Sequence, residues 1–293
     1  MMKGKPESGY RNVNKRLYRR EVYEHVDQLL RNHLPKPSRK VAYLESSDAE
    51  ETRILLNRGY SPDNLYPFNR NVAEAAVVSR KIREKFGWKV NSQGKDIARL
   101  AEVCPVVDII HLDFCGPLND TSGRVITYLK DTCFQEGTIV IVNVLRGREN
   151  TPIAKATLKE FRENDILRKR TEKMLFGDCP QGGDIARTKA MVNVLSGWSV
   201  DFNTGEIGRM GKKCFVFVDI KAGQYKSTSG LTFTWLVGAA VRPWTIERLG
   251  LAPRVIGSFD FPCPLNDKRF YDVKPPPEHL MAMYPKGLTH VSL

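Results

Sequence analysis

The loop that follows the first strand pattern in this sequence has no glycine. Glu45 is followed by Ser46, Ser47 and Asp48, and no GxxxxGK[ST] run occurs anywhere. A nucleoside-triphosphate loop is therefore not signalled. The 6 cysteines, at 104, 115, 133, 179, 214 and 263, are scattered without a CxxC pair or a Cys/His cluster. Neither a zinc site nor a disulfide framework is signalled, and free thiols in a reducing compartment are expected. Long apolar runs are also missing. Residues 231–241 (LTFTWLVGAAV) are too few to span a bilayer, and the N-terminus is polar and basic with no signal-peptide core. These absences point to a soluble, cytoplasmic protein with no membrane contact.

Acid is in deficit: 33 Asp and Glu stand against 46 Lys and Arg, giving a net charge of +13. The imbalance is concentrated at the start, where residues 1–40 hold 11 basic and 4 acidic side chains. Lys15, Arg16, Arg19 and Arg20 form a compact basic knot around Tyr18. Such a knot favours a polyanion, with nucleic acid, DNA or RNA, as the expected partner; it equally describes a solvated helix face.

At 293 residues the chain can bury one large core or two modest ones. Leu17, Val22, Val26, Leu29 and Leu30 recur at helical spacing, so a helix is expected over 15–34, ended by Pro35 and Pro37. Lys40–Glu45 reads as a strand. Ser47 is expected to cap the next helix, with Glu50 completing a capping box. Further strands are expected at 64–69, 88–91, 106–114 and 137–145, with helices at 72–86, 96–102 and 122–134 between them. That alternation predicts a doubly wound, mostly parallel sheet with crossover helices. Beyond Arg146 the pattern changes to helices at 152–175 and 184–195, then strand-like runs at 197–201, 213–220 and 231–241, an antiparallel end to the sheet. The expected organisation is a basic helical extension over 1–39, an α/β domain over 40–250 and a Pro-rich tail over 251–293.

Asp48, Glu50 and Glu51 complement the dipole at the start of their helix and repel a phosphate there, so a dinucleotide is disfavoured; a ligand with a positive centre is tolerated. The same acids are equally read as a helix cap. Asp113 ends the strongest strand, where ligands of open α/β sheets bind, and Gly116-Pro117 turns the chain just beyond it. Asp113, Cys115 and Asn119 are thereby grouped around a possible substrate, Asp113 as proton acceptor or orienting group. The other reading of Asp113 is a turn-forming carboxylate. His111 is expected to be packed in its strand. Asn143, Arg146, Arg148 and Glu149 follow the next strand and can line a cleft, with the arginines meeting phosphates, or form a solvated loop. Trp235 and Trp244 are expected as core or lid residues rather than base-stacking platforms.

The order of elements, five β/α units and then an antiparallel hairpin, resembles the class I S-adenosylmethionine-dependent methyltransferases across roughly residues 15–245. The resemblance implies S-adenosylmethionine as cofactor, held around Glu45, Ser46, Ser47, Asn69, Asp96 and Asp113. It implies a catalytic loop with Asp113 and Asn119, and substrate contact near Tyr225, Lys226 and Ser227. Nucleic-acid contact is then expected from Lys15, Arg16, Arg19, Arg20, Arg146 and Arg148. The family has glycines where this chain has Ser46-Ser47-Asp48, and an acid where it has Asn69. Those departures sustain a second reading, a non-catalytic methyltransferase-like protein that binds nucleic acid or serves as a scaffold. Protein partners or a homo-oligomer are open in either case.

Overall fold

A computed structural model describes residues 13–30, 35–90, 93–147, 185–196, 198–200, 207–209 and 215–242, with isolated helical positions between 159 and 169. Arg148, Glu149, Trp244, the tail over 251–293 and most of the helix expected over 152–175 lie outside the described residues.

In chain order the elements are α1 (Val13–Leu30), β1 (Val41–Leu44), α2 (Glu50–Asn57), β2 (Leu65–Phe68), α3 (Val72–Phe86), β3 (Ile109–Asp113), α4 (Asp120–Thr132) and β4 (Ile139–Leu145). There follow α5 (Ile185–Ser196), β5 (Trp198–Val200), β6 (Ile207–Arg209), β7 (Val216–Lys226) and β8 (Thr232–Val241). A 3-10 turn, Ile97–Glu102, stands in place of the short helix before β3.

Six strands make one sheet in the order β2-β1-β3-β4-β8-β7, while β5 and β6 form a separate pair. The first four are parallel, and β8 runs antiparallel to both β4 and β7. Of the third strand expected at 88–91, the described residues 88–90 form no ladder. Its place beside β2 is taken by a single parallel rung between Gln93 and Phe68, held by Gln93 N–H to Pro67 O at 2.8 Å and Asn69 N–H to Gln93 O at 3.0 Å. β7 runs to Lys226, six residues past the expected end at 220, through a register shift between Val218 and Lys221. The bulge lets a strand interrupted by Asp219 and Ile220 resume its pairing.

Both faces of the sheet are covered, which accounts for the apolar runs in β3 and β4. Ile110, Leu112, Val140, Val142 and Leu236 face one layer, with α4 and α5 residues such as Ile126 and Met191. Ile109, Ile139, Ile141, Trp235 and Val237 face the other, against α1, α2 and α3. α1 belongs to that second layer: Val22, Tyr23 and Val26 are 0% exposed. Burying each such side chain contributes about 1.5–3 kcal/mol. α3 opens on an Asn71 cap and closes on Gly87 in the left-handed region (φ 68°), whose N–H donates to Arg83 O.

Candidate functional site

β1 and β3 end at the same edge, and their last side chains on the α1 side are polar. Glu45, just past β1, is 6% exposed. Its Oε2 accepts from Thr52 N–H at 2.7 Å and from the Thr52 hydroxyl at 2.8 Å; its Oε1 accepts from Ser46 N–H at 2.9 Å. Glu45 therefore caps α2 from across the loop. The expected Ser47–Glu50 capping box is absent, because Ala49 takes a left-handed turn (φ 55°) immediately before the helix and no side chain at that position bonds a helix amide. Ser47 instead offers its carbonyl to Lys81 Nζ at 2.7 Å. Burial, with the charge of Glu51 added, pushes the Glu45 carboxyl up to about 7.

Of the acids expected at the start of α2, Asp48 lies 3.7 Å from Lys81 and Glu50 binds Arg53. Glu51 is not at the surface. It is 1% exposed, pairs with Arg19 Nε at 2.8 Å and accepts from the Tyr23 hydroxyl. Burial alone would raise its carboxyl, but Arg19 and His111 outweigh burial and hold it far below the ordinary range. His111 Nδ1 lies 3.0 Å from Glu51 Oε1, and its Nε2 lies 2.8 Å from the Tyr18 hydroxyl. With the ring proton on Nδ1 both contacts are satisfied. His111 is thus the packed histidine expected, set in a buried polar network beneath α1.

Asp113 closes β3. Its Oδ2 pairs with Lys15 Nζ at 2.7 Å, and its Oδ1 accepts from Asn143 Nδ2 at 2.6 Å. The same Asn143 amide donates to the Tyr225 hydroxyl at 2.9 Å. Burial tends to raise Asp113, but Lys15 and then Arg19 more than compensate, and its carboxyl sits below the ordinary range. Lys15, Asp113, Asn143 and Tyr225, contributed by α1, β3, β4 and β7, therefore form one cluster at the carboxyl end of the sheet. Asn143 Oδ1 is buried without a partner among the described residues.

The other expected site residues serve different ends. Asn69 Nδ2 donates to Glu45 O at 3.0 Å and to Glu74 at 2.8 Å, and its Oδ1 accepts from Asn71 N–H. Asp96 caps the 3-10 turn through Ala98 N–H at 3.0 Å. Asn119 caps α4 in a reciprocal capping box with Ser122, its Oδ1 accepting from Ser122 N–H at 3.0 Å. Cys115 is an exposed free thiol. Of the basic knot, Arg16 and Arg20 are exposed. Lys15 and Arg19 are turned inward to carboxylates, because helical spacing places them on the face that carries Val22 and Val26. Arg146 is exposed, and its N–H donates to Thr232 O. Tyr225 is the member of the cluster to which sequence gave least weight. Its signal was position: in the alternation of a strand reaching Lys226, it falls on the face of α1.

With the Gln93 rung counted as a third strand, the sheet reads 3-2-1-4-5-7-6, with only the seventh strand antiparallel. This is a doubly wound sheet of Rossmann type into which an antiparallel strand has been inserted near one edge, and it defines the methyltransferase-like fold. No protein-family model matches the sequence, and no curated protein matches it. Solved structures resemble it in outline. The CurJ carbon methyltransferase is 11% identical with a TM-score of 0.40 over 74% of this chain, which spans about half (52%) of that protein. An rRNA methylase from Streptococcus thermophilus is 8% identical with a TM-score of 0.37, covering 75% of this chain and 93% of that one. A fibrillarin/Nop5p complex gives 10%, 0.39, 74% and 80%. Likeness at this level carries no activity across, and the fold class rests on the strand order. No helix among the described residues is long and apolar enough to cross a membrane.

Proposed function

We propose that the chain is an S-adenosylmethionine-dependent methyltransferase acting on a nucleic acid. The observation that carries this reading is the buried Lys15–Asp113 pair at the carboxyl end of the central strand, 2.7 Å apart. Asp113 is held ionised by Lys15, so it can orient an attacking hydroxyl or amine by accepting a hydrogen bond from it. Lys15 keeps that charge in place, and Asn143 fixes the other carboxylate oxygen. The Ser46 hydroxyl fits the polar end of the cofactor, because it is a buried polar atom with no hydrogen-bond partner among the described residues. Ser46, Ser47, Asn69 and Asp96 are the side chains that would hold the group, which supplies an electrophilic methyl on a sulfonium. Arg16, Arg20 and Arg146, all exposed, are the cations offered to phosphates. The test is transfer of labelled methyl from S-adenosylmethionine to RNA and DNA. Incorporation lost in Asp113→Asn supports the reading; no incorporation into either sinks it.

A second reading, a non-catalytic methyltransferase-like protein that binds nucleic acid, is favoured by one observation. The carboxylate of Glu45 and the amide of Asn69 are already bonded within the chain. Calorimetry with millimolar S-adenosylmethionine separates the two: no heat and no thermal shift select the second.

A further inference from the structure

Three aromatic rings form a ladder on the α1 side of the sheet. Tyr18, 2% exposed and bonded to His111, stacks on Tyr225 with centroids 5.0 Å apart and planes at 17°. Tyr225, 7% exposed, stacks on Phe233 at 5.1 Å and 6°. Phe233 is only half-buried. Strand register fixes where the ladder ends. Phe233 lies opposite Tyr225 on one side and opposite Leu145, the last residue of β4, on the other. The ladder thus climbs from the interior to the carboxyl edge, and its outermost ring stands there.

That edge is also where the Lys15–Asp113 pair sits. Tyr225, the middle ring, shares the Asn143 amide with Asp113. Two exposed cations stand at the same edge, each one residue beyond a strand position that lines the ladder. Thr232, next to Phe233, pairs across the hairpin with Lys226 and accepts from Arg146 N–H, and both Lys226 and Arg146 are exposed. Aromatic rings stacked in parallel, ending in a half-buried ring at an edge that also carries exposed cations, match a nucleobase and its phosphates. Bases stack on aromatic faces without regard to sequence, while the cations track the backbone.

We propose that Phe233 is a stacking platform for an unpaired nucleobase, which sets the flanking nucleotide against Asp113. The substrate class is then single-stranded or locally unpaired nucleic acid, because a base inside a duplex presents no free face. This deepens the methyltransferase reading and rests on it for the role of Asp113, while the platform itself can be tested alone.

The full chain is titrated with single-stranded RNA and DNA oligonucleotides of mixed sequence, each carrying one 2-aminopurine, and with the matching duplexes. Quenching of 2-aminopurine reports stacking. Wild type is expected to quench the single strands and to bind them more tightly than the duplexes. Phe233→Leu, which keeps apolar bulk in the hairpin, is expected to weaken single-strand binding about tenfold and to abolish quenching. Phe233→Trp is expected to retain both. Single-strand binding and quenching unchanged in Phe233→Leu, or no single-strand binding by wild type, overturns the platform. Quenching that depends on Phe233 without any methyl transfer leaves the platform standing and removes the enzyme reading. Methyl transfer that proceeds while Phe233→Leu binds and quenches like wild type does the reverse.

Discussion

Arg19 and Glu51 meet 2.8 Å apart with only 2% of either side chain exposed, and so join α1 to α2 through the interior of the protein. Without Arg19 the Glu51 carboxylate keeps the Tyr23 hydroxyl and His111 as partners but loses the guanidinium beside it at a buried position. Arg19→Met is expected to destabilise the fold by about 3–5 kcal/mol, the usual cost of breaking a buried pair from one side. Arg19→Met combined with Glu51→Leu should recover most of the loss, since both charges are then gone. Urea denaturation of the single and double variants measures both, and a double variant as unstable as the single one refutes the account.

Glu45 gives a pH signature. Its folded value of about 7 lies above the ordinary 4.5, so its contribution is fully present below 4.5 and is lost as pH rises towards 7. The loss amounts to about 3 kcal/mol. Glu51 and Asp113 act in the opposite sense, since their lowered values favour the fold above the ordinary carboxylate range and cease to do so as pH falls through it. Glu45→Gln removes one titration only. The stability advantage of wild type over this variant should shrink between pH 5 and pH 8, followed by chemical denaturation. An advantage that does not change with pH contradicts the assignment.

The Lys15–Asp113 pair serves both the proposed chemistry and the packing of α1. Asp113→Asn keeps the size of the side chain but leaves the buried Lys15 ammonium without its counter-charge, so it is expected to cost about 3–5 kcal/mol of stability. Activity is therefore compared at a temperature where denaturation shows both proteins folded. Methyl transfer is expected to fall about 100-fold or more, as for loss of a group that orients the attacking nucleophile. Equal activity in the two proteins at saturating substrate would remove Asp113 from the chemistry.

Gly223 is required by its neighbour. A Cβ added there would stand 2.7 Å from the Trp235 ring, and Trp235 is buried in the second layer. Gly223→Ala is expected to cost about 1–3 kcal/mol by overpacking, read from the denaturation midpoint. Gly116→Ala, which meets nothing within 4 Å, is the control.

The alternation of strands and helices was legible because apolar runs such as those of β3 and β4 carry their own signal. The carboxyl edge followed from it, and with it Asp113. The capping of α2 was not legible: Ser47 had the right residue type and spacing, but a left-handed Ala49 sets the helix start at Glu50, and Glu45 accepts from its amides. The basic knot misled in part, because Lys15 and Arg19 resemble Arg16 and Arg20 until their helix is rotated against a partner. Tyr225 and Phe233 were obscure for a related reason. Their meaning lies in a cross-strand register that no local pattern contains.

The position of α1 has a consequence for how the chain is made. It is the first described element to be synthesised, yet it rests on strands that are among the last. Asn14 bonds Lys226 across 212 residues of sequence, and Tyr18 waits as long for Tyr225. Until β7 and β8 exist, the helix lacks the strands that carry Tyr225 and Trp235, although Asp113 and Glu51, the partners of Lys15 and Arg19, are already made. Contacts so distant in sequence make folding slow and leave apolar surface open while it proceeds. The native state is therefore closed last by its own beginning.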